Sequence, residues 1–487
     1  MPEQTFSGPV EQMGPCQWRL PRSYRPDMRV DGLVFADDEL MASIRHDQAL
    51  EQVANVACLP GIVRASLAMP DIHWGYGFCI GGVAATDPEQ GGVISPGGVG
   101  YDINCGVRLI RTDIALADAR DRIPQIVDTI YEYVPAGVGG GGAVRFKRPE
   151  LERILAEGSP YVVSRGYGWK EDLELTEAGG GLRGAKPDFV SERAYQRGAD
   201  QCGSLGAGNH FLEVQVVEQV FEPAAAAAMG LAEGMLTVMI HSGSRGLGYQ
   251  ICEDALHELR GVPERYGISL PDRQLVCAPV HSPEGARYLG QMRSAANYAW
   301  ANRQMIMHLT RLAFERVFGT PAGRVGLHLV YDVAHNIAKL ESYDVGGTER
   351  PLCIHRKGAT RAFPPDHPEV PAKYREVGQP VLIPGDMGRA SYVLVGRPGA
   401  MTDSFGSSCH GAGRVMSRGA ATRAAKGRSI HKELLAAGVY ARAHSRKGLD
   451  EEQPDAYKDV SRVVDVVHKA GLTQIVAKLR PVGVVKG

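Results

Sequence analysis

A glycine-broken loop near the carboxyl end of the chain presents a single histidine, His410, just before Gly411-Ala412-Gly413. Glycine has no Cβ, so the backbone there can come close to a ligand and its amides can cradle an anion. A histidine beside such a cradle can serve as a nucleophile toward phosphorus, as a metal ligand or as a general acid or base. The loop alone is equally compatible with a functional histidine and with a glycine-rich turn that carries an exposed histidine of no function.

Asp102 and Cys105 lie three residues apart in a second glycine-rich loop, just before a predicted strand over Val107–Ile114. A carboxylate combined with a thiolate is not the ligand set of calcium or magnesium, and it suits a borderline transition metal. A free cysteine is also commonly a small buried apolar residue. On local grounds both interpretations of Cys105 stand.

Three histidines, His210, His241 and His335, each lie at the boundary of a predicted strand, next to small or polar residues. Catalytic and metal-binding groups are often found there, because a rigid sheet positions its loops. The predicted strands are Phe211–Val220, Met235–Ile240 and Val325–Tyr331. Each histidine alone could be an unrelated loop residue, but with Asp102 and Cys105 they form a Cys/His/carboxylate set suited to a transition metal.

The elements that must position these groups indicate a mixed fold. Irregularly alternating strands and one long helix over 286–318 predict an α+β protein with a central β-rich core and surrounding helices. The candidate ligands run from 102 to 335, so their convergence predicts one large domain over 1–487, with 1–18 unassigned.

Helical periodicity is interrupted at Pro60 within 41–65, and the glycine run 137–143 predicts a flexible loop. Arg414 and Arg418, if both were helical, would share a face that could bind a polyanion.

Composition limits the possible classes of function. The chain has 487 residues, 44% of them hydrophobic, and a net charge of −1, so no global positive field recruits nucleic acid. Nine cysteines without a CxxC pair favour a reducing compartment over a disulfide framework. No apolar run approaches the roughly 20 residues of a membrane span, and the start lacks a signal pattern. We expect a soluble, cytoplasmic protein with no membrane partner.

The chain closely resembles the RtcB family of GTP-dependent RNA ligases from Met69 to Gly487. The resemblance is carried by long segments with unusual residue composition, in the order in which the family has them. These segments are MPDIHWGYGF, GGVGYDINCGVR, GAGNHFLE, HSGSRGLG, DVAHN, HRKGATRAF, PGDMGRASY, SCHGAGR and the closing VVKG.

The resemblance implies an enzyme that joins RNA 3′-phosphate or 2′,3′-cyclic phosphate ends to 5′-hydroxyl ends, in tRNA splicing or RNA repair. It implies GTP and two Mn²⁺ ions as cofactors, and RNA and an archease-type activator as partners. It implies covalent guanylylation of His410. The implied metal ligands are Asp102, Cys105, His210, His241 and His335. The implied nucleotide-binding residues are Asn209, Phe211, Leu212, Glu213, His335, Asn336, Pro384, Gly385, Asp386, Met387, Ser391, His410, Gly411, Ala412, Gly413, Tyr457 and Lys486. Arg245 and Arg414 are the implied phosphate or RNA contacts.

Two alternatives use the same residues differently. A metal-dependent phosphodiesterase or nuclease would use the ions without a covalent intermediate, so it predicts no guanylylation of His410. A non-catalytic RNA-binding scaffold would make the metal set incidental, so it predicts no effect of Cys105→Ala on any activity.

Overall fold

The computed structural model describes residues 6–137 and 141–487. Its strands are β1 Glu11–Gly14, β2 Gln17–Leu20, β3 Asp31–Phe35, β4 Ile62–His73, β5 Ile80–Thr86, β6 Val93–Ile94, β7 Gly106–Ala115, β8 Phe211–Val220, β9 Met235–Ser242, β10 Ala278–Pro279, β11 His328–Ala334, β12 Asn336–Asp344, β13 Glu349–Lys357, β14 Ala359–Arg361, β15 Pro380–Ile383, β16 Ser391–Gly396, β17 Ser407–Cys409, β18 Tyr440–Ala443 and β19 Thr473–Lys486.

Helices surround these strands. They are α1 Asp38–Ile44, α2 Ala49–Val56, α3 Leu116–Ala119, α4 Ile123–Tyr133, α5 Arg148–Glu157, α6 Ser159–Ser164, α7 Lys170–Glu174, α8 Glu192–Gly198, α9 Pro223–Met229, α10 Arg245–Glu258, α11 Val262–Arg265, α12 Pro283–Phe318, α13 Pro398–Ser404, α14 Arg418–Ala424, α15 Ile430–Ala436, α16 Arg446–Glu451 and α17 Val460–Lys469. None of the helices in the described ranges has both the length and the apolar character that crossing a bilayer would need.

Two large sheets organise the fold. The first sheet has the order β1-β2-β3-β4-β5-β13-β12, and the second has the order β11-β7-β9-β8-β19-β16-β15, with β18 paired to β19. Most neighbouring strands are antiparallel, and β3/β4 and β18/β19 are the parallel pairs within these two sheets. Mostly antiparallel sheets with helices packed around them confirm the predicted α+β class.

The long helix α12 is confirmed and begins three residues earlier than predicted. Ser282 caps it by accepting a hydrogen bond from the Gly285 amide at 3.0 Å, and Pro283 occupies the first turn, where its missing amide hydrogen costs nothing. Gly319 ends it in the left-handed conformation. The helix packs against α4, α5, α6 and α10 and against β9 of the second sheet, so it forms a rigid base under the strands that carry the candidate ligands.

Three local predictions need correction or limitation. The 41–65 segment forms two short helices and then enters β4, because the chain turns at 45–48 as well as near Pro60. Arg414 is not helical: α14 begins at Arg418, so the predicted shared helical face is wrong. Within the glycine run 137–143, residues 138–140 lie outside the described residues. The unassigned 1–18 segment contributes β1 and part of β2 to the edge of the first sheet, and its residues 1–5 also lie outside the described ranges.

Candidate active site

Four adjacent strands of the second sheet bring the candidate metal ligands together. Cys105 immediately precedes β7, His210 precedes β8, His241 lies near the end of β9, and His335 follows β11. In the register of the sheet, Val107 faces His241, and His241 in turn faces Phe211. Since these strands are antiparallel neighbours, the end of one lies beside the start of the next. The ligand positions therefore converge at one edge of the sheet although they are far apart in sequence.

The donor atoms of these residues form two triads that share one sulfur. Cys105 Sγ lies 3.4 Å from His210 Nε2 and 3.2 Å from His241 Nε2. His241 Nε2 lies 3.2 Å from His335 Nε2, and His210 Nε2 lies 2.8 Å from Asp102 Oδ2. Each triad could hold one cation, Asp102–Cys105–His210 in one case and Cys105–His241–His335 in the other. A thiolate in both triads fits a bridge between two adjacent ions.

The protonation chemistry of this set fits a bound cation. Burial lowers the pKa of His241 and of His335 well below the usual value, so both rings are neutral and keep a lone pair for a metal. Burial and the nearby charge of Asp102 raise the pKa of Cys105 well above that of a free thiol. A positive ion at the shared sulfur would reverse that effect, since a coordinating thiol is deprotonated by its metal.

Surrounding groups fix the orientation of the ligands. His210 Nδ1 lies 3.1 Å from the Leu205 carbonyl oxygen, which places the proton on Nδ1 and leaves Nε2 to face Asp102 and Cys105. The backbone amide of Ser244 donates to Asp102 Oδ1 at 3.1 Å. Arg245 follows with φ 54° and brings Nη1 to 3.4 Å from His210 Nδ1, beside the ligand set. A non-glycine residue held in that region stores backbone strain, which is typical of functional loops.

His410 lies next to the ligand set and is held by Asp71 of the first sheet. Its ring centroid is 4.8 Å from that of His335, and its Nδ1 lies 2.6 Å from Asp71 Oδ2. The same oxygen accepts hydrogen bonds from the backbone amides of His410 and Gly411, at 3.0 and 3.3 Å. Burial opposes ionisation of Asp71, but the charge and hydrogen bonds of His410 outweigh it and keep the pKa of this carboxyl below its usual value. Because Asp71 occupies Nδ1, the ring presents Nε2 for chemistry.

Asp71 is the residue whose role the sequence reasoning missed. Asp71 and His73 lie in β4, and Asp71 is fully buried. An aspartate within the apolar run from Leu67 to Ile72 was the available signal, since a buried carboxylate needs a partner. Gly413 packs against this strand: a Cβ there would lie 2.3 Å from the Asp71 carbonyl oxygen, and its φ is +73°. Its lack of a side chain therefore permits this contact with protein backbone, and a contact of Gly413 with the nucleotide stays a prediction.

A cavity of about 570 Å³ opens beside His410 and is lined by most of the predicted nucleotide-binding residues. Glu213 and Asp386 are buried in its wall, and burial raises their pKa values to about 8 and about 6. Buried carboxyl groups of this kind are suited to accept hydrogen bonds from the N–H groups of a nucleobase. The other predicted residues on the wall are Asn209, Phe211, His335, Asn336, Pro384, Gly385, Met387, Gly411, Ala412, Gly413, Tyr457 and Lys486.

Two predicted nucleotide-binding side chains lie outside this wall. Leu212 points to the opposite face of β8 from Phe211 and Glu213 and is fully buried in the core, as strand alternation requires. Ser391 lies behind the cavity, where its Oγ accepts a hydrogen bond from Gln215 Nε2 at 3.1 Å and one from the Gly385 amide at 3.4 Å. Ser391 thus supports the 384–387 loop from behind.

Asn336 lines the cavity, but its side-chain amide is engaged by backbone. Its Nδ2 donates to the Asp102 carbonyl at 3.1 Å, and its Oδ1 accepts from the Gly358 amide at 2.9 Å. The side chain therefore ties the Asp102 loop to the turn after β13. A role in nucleotide contact stays a prediction.

The predicted phosphate-contact residue Arg414 is already paired with a buried carboxylate. Arg414 Nη1 donates to Glu452 Oε2 at 2.9 Å and to the Tyr457 hydroxyl at 3.1 Å. Arg418 reaches the other oxygen of Glu452 at 3.3 Å. Glu452 was not predicted from the sequence. Glu452 pairs with both arginines at the cavity wall and partly neutralises their charge. Arg414 and Arg418 are therefore less available to a polyanion than the sequence indicated.

Arg303 of α12 forms hydrogen bonds with three segments that carry or lead to candidate metal ligands. Its guanidinium pairs with both oxygens of Asp332 on β11, each at 2.8 Å. It also donates to the carbonyl oxygens of Asn104 at 2.7 Å and of Ser242 at 2.9 Å. Arg303 and Asp332 are fully buried. The loop of Cys105, the strand end of His241 and the strand leading to His335 are therefore tied to one rigid side chain.

We expect Arg303→Lys to lower affinity for Mn²⁺ by about 10- to 100-fold, because an ammonium cannot reproduce the fork that orients the ligand loops. Titration of Mn²⁺ followed by calorimetry measures this directly. Arg311→Lys is the matched control, since Arg311 lies on the same helix and makes an equally buried bidentate pair with Asp172, at 2.7 and 2.8 Å. Both variants lose stability, but only Arg303→Lys loses metal affinity. Equal Mn²⁺ affinities in the two variants would contradict the role assigned to Arg303.

Known proteins similar to this chain carry the name of one family. The family model described as tRNA-splicing ligase RtcB matches residues 52–487. A tRNA-splicing ligase RtcB of Thermococcus kodakarensis is 54% identical over 479 residues, which cover 98% of this chain and 99% of the relative. A protein of the same name from Archaeoglobus fulgidus is 52% identical and covers 99% of this chain and 100% of the relative. An RNA-splicing ligase RtcB of Mycobacterium tuberculosis is 53% identical over 438 residues, 90% of this chain and 100% of the relative.

Proposed function

We infer, because this chain belongs to the RtcB family, that it is an RNA-splicing ligase that acts in tRNA splicing or RNA repair. We propose that it joins RNA 2′,3′-cyclic phosphate or 3′-phosphate ends to 5′-hydroxyl ends and uses GTP and two Mn²⁺ ions. The observation that carries the proposal is the position of His410. Asp71 holds this ring by Nδ1, beside a Cys/His/Asp donor set and at the wall of a cavity with buried carboxyl groups.

His410 Nε2 is the nucleophile of the first step. It attacks the α-phosphorus of GTP, a nitrogen–phosphorus bond forms, the bond to the β-phosphate oxygen breaks, and pyrophosphate leaves. Asp71 keeps the proton on Nδ1 and stabilises the positive charge that develops on the ring. Two cations in the donor triads would neutralise phosphate oxygens and assist departure of the leaving group.

The second part of the reaction joins the RNA ends. GMP passes from His410 to the RNA 3′-phosphate, and the neutral imidazole is restored. The 5′-hydroxyl then attacks that phosphorus and loses its proton to solvent, the new phosphodiester forms, and GMP leaves with the electrons of the broken anhydride bond. A 2′,3′-cyclic phosphate is first opened by water to the 3′-phosphate.

Side chains of the cavity hold the guanine nucleotide in this proposal. Glu213 and Asp386 accept hydrogen bonds from the base, and Lys486, buried on the last strand within 5.7 Å of the Phe211 ring centre, supplies positive charge. We place the protein in the cytoplasm, because all nine cysteines are free and buried, as a reducing compartment allows. An archease-type activator is a proposed partner, and RNA with the stated ends is the proposed substrate.

Incubation of the protein with Mn²⁺, GTP and two RNA strands, one ending in 3′-phosphate and the other in 5′-hydroxyl, tests the proposal. We expect a joined product that depends on both GTP and Mn²⁺. The alternative of a phosphodiesterase or nuclease predicts shortened RNA, no joined product and no requirement for GTP. That outcome would replace the ligase proposal.

A further inference from the structure

Trp74 is an exposed side chain on a firmly held backbone. Trp74 is 48% exposed as a residue, and it is the exposed member of the four tryptophans. Its backbone amide donates to Asp47 Oδ2 at 3.2 Å. The next residue, Gly75, exchanges two hydrogen bonds with the Gln52 side chain, at 2.7 and 3.0 Å. The fold thus fixes the position of a large apolar ring and leaves it in water.

The ring of Trp74 also lacks the partners that its neighbours have. Tyr76 packs edge-on against Tyr101, with ring centres 5.6 Å apart, and Tyr101 stacks on Tyr249 at 4.9 Å. Arg197 lies 5.0 Å from the Tyr249 ring centre. Within residues 6–137 and 141–487, no aromatic ring or cation packs against Trp74 in this way. Its face is available for stacking.

Trp74 stands where two cavities meet. The active-site cavity adjoins a second cavity of about 620 Å³, and the two share Asp47, Trp74, Arg414 and Val415. We call this second cavity the Trp74 groove. Val415 is 51% exposed, so the groove is lined by two exposed apolar side chains, Trp74 and Val415. Its remaining wall includes the turn 43–48, Ile72 and Lys458.

The backbone that leads into Trp74 is anchored to the nucleophile. Lys458 Nζ donates to the carbonyl oxygens of Pro70 and Ile72, at 3.0 and 2.6 Å, on either side of Asp71. Asp71 in turn holds His410. The same strand, β4, therefore sets the position of both His410 and Trp74, so a molecule that contacts both is held in register with the reacting atoms.

We propose that Trp74 stacks a nucleobase of the RNA strand whose reacting end lies at His410 and the metal ligands, with that strand leaving the active site through the Trp74 groove. The inference rests on the proposed function. RNA is the occupant because the groove is continuous with the site where RNA ends react, and because an exposed indole recognises any base by its face. The proposed partners of the guanine of GTP, Glu213 and Asp386, line the active-site cavity and not the groove, so the groove itself is left to the RNA strand.

Base stacking on tryptophan predicts a specific optical and thermodynamic signature. Titration of the protein with a single-stranded RNA that ends in 3′-phosphate should quench tryptophan fluorescence, and Trp74→Ala should abolish most of that quench. RNA affinity, measured by anisotropy of a labelled strand, should fall about 10- to 100-fold in Trp74→Ala and recover in large part in Trp74→Phe. Trp74→Leu keeps apolar bulk without the aromatic face and should not restore affinity.

An abasic scan identifies the contacted nucleotide. The affinities of wild type and of Trp74→Ala are measured for a series of RNA strands. Each strand lacks one base, at successive positions from the reacting end. At the stacking position, removal of the base should lower the RNA affinity of the wild-type protein and leave the RNA affinity of Trp74→Ala unchanged. This is expected because both changes delete the same contact. Phe221→Ala is the control, because Phe221 is 43% exposed at the far end of β8 and lines neither cavity.

Two failures are distinguishable. Absence of a GMP label on the wild-type protein and of any joined RNA would overturn the proposed function. If the wild type is labelled and joins RNA, but Trp74→Ala binds every strand as tightly as wild type does, the inference about Trp74 is wrong. A loss of affinity that is the same at every abasic position also contradicts stacking of a defined base.

Discussion

His410→Ala is expected to abolish covalent labelling by α-labelled GTP and to reduce RNA joining by on the order of 10³-fold or more. The reason is chemical: His410 is the histidine that Asp71 holds at the cavity wall beside the donor set. His335, whose ring centre lies 4.8 Å away, and His241 direct their Nε2 atoms toward each other, 3.2 Å apart, within the donor set. The measurement is retention of label after denaturation. A phosphoramidate is lost in acid and retained in alkali, so stability to pH identifies the bond.

His431→Ala is the matched control for this experiment, since His431 is exposed on α15 and should label as wild type does. Asp71→Asn provides a graded variant. The amide oxygen can still accept the hydrogen bonds of the His410 loop, but the charge that stabilises the attacking ring is gone. We therefore expect slower labelling that still goes to completion. If His410→Ala is labelled as fast as wild type, His410 is not the nucleophile and the mechanism proposed here fails.

Cys105→Ala is expected to have the second large effect, because its sulfur belongs to both donor triads. Loss of a residue that only orients a ligand costs about 10- to 100-fold in metal affinity, and loss of the shared ligand should cost more. Stability reports the change without any activity assay. A metal at 100 times its Kd adds about 2.7 kcal/mol to the free energy of unfolding, and most of that disappears when affinity falls about 100-fold.

Thermal unfolding with and without Mn²⁺ measures this loss. The Tm of the wild type should rise when Mn²⁺ is added, and the Tm of Cys105→Ala should change little. Cys353→Ala is the control: Cys353 is fully buried, burial raises its pKa to about 12, and it belongs to neither triad. It should keep the metal-dependent rise whatever its own stability. A full metal-dependent rise in Tm for Cys105→Ala would contradict the role of Cys105 as a shared ligand. Unchanged RNA binding by this variant, with no RNA joining by the wild type, would favour the scaffold interpretation.

Local sequence chemistry determined a large part of the architecture. The absence of proline and glycine after Gly290 predicted α12 to its last residue, and a run rich in β-branched residues predicted β7 to within one residue at each end. Residue types alone selected His410 and the five candidate ligands, because cysteine, histidine and aspartate beside strand ends have few structural uses in common. The family resemblance then supplied their proposed roles, and the family is confirmed.

Tertiary structure alone decided how these groups meet. The ligand-bearing strands lie side by side in the order β11-β7-β9-β8, which differs from their order along the chain, so no sequence spacing reports their distances. Asp71 and His410 are 339 residues apart; Asp71 lies in β4, which pairs with β5, and His410 follows β17, which pairs with β14. The pairing of Arg414 with Glu452 and the clamp made by Arg303 likewise depend on burial. A charge that looks free in a sequence must find a partner when folding removes it from water, and only the packing of distant segments determines which partner that is.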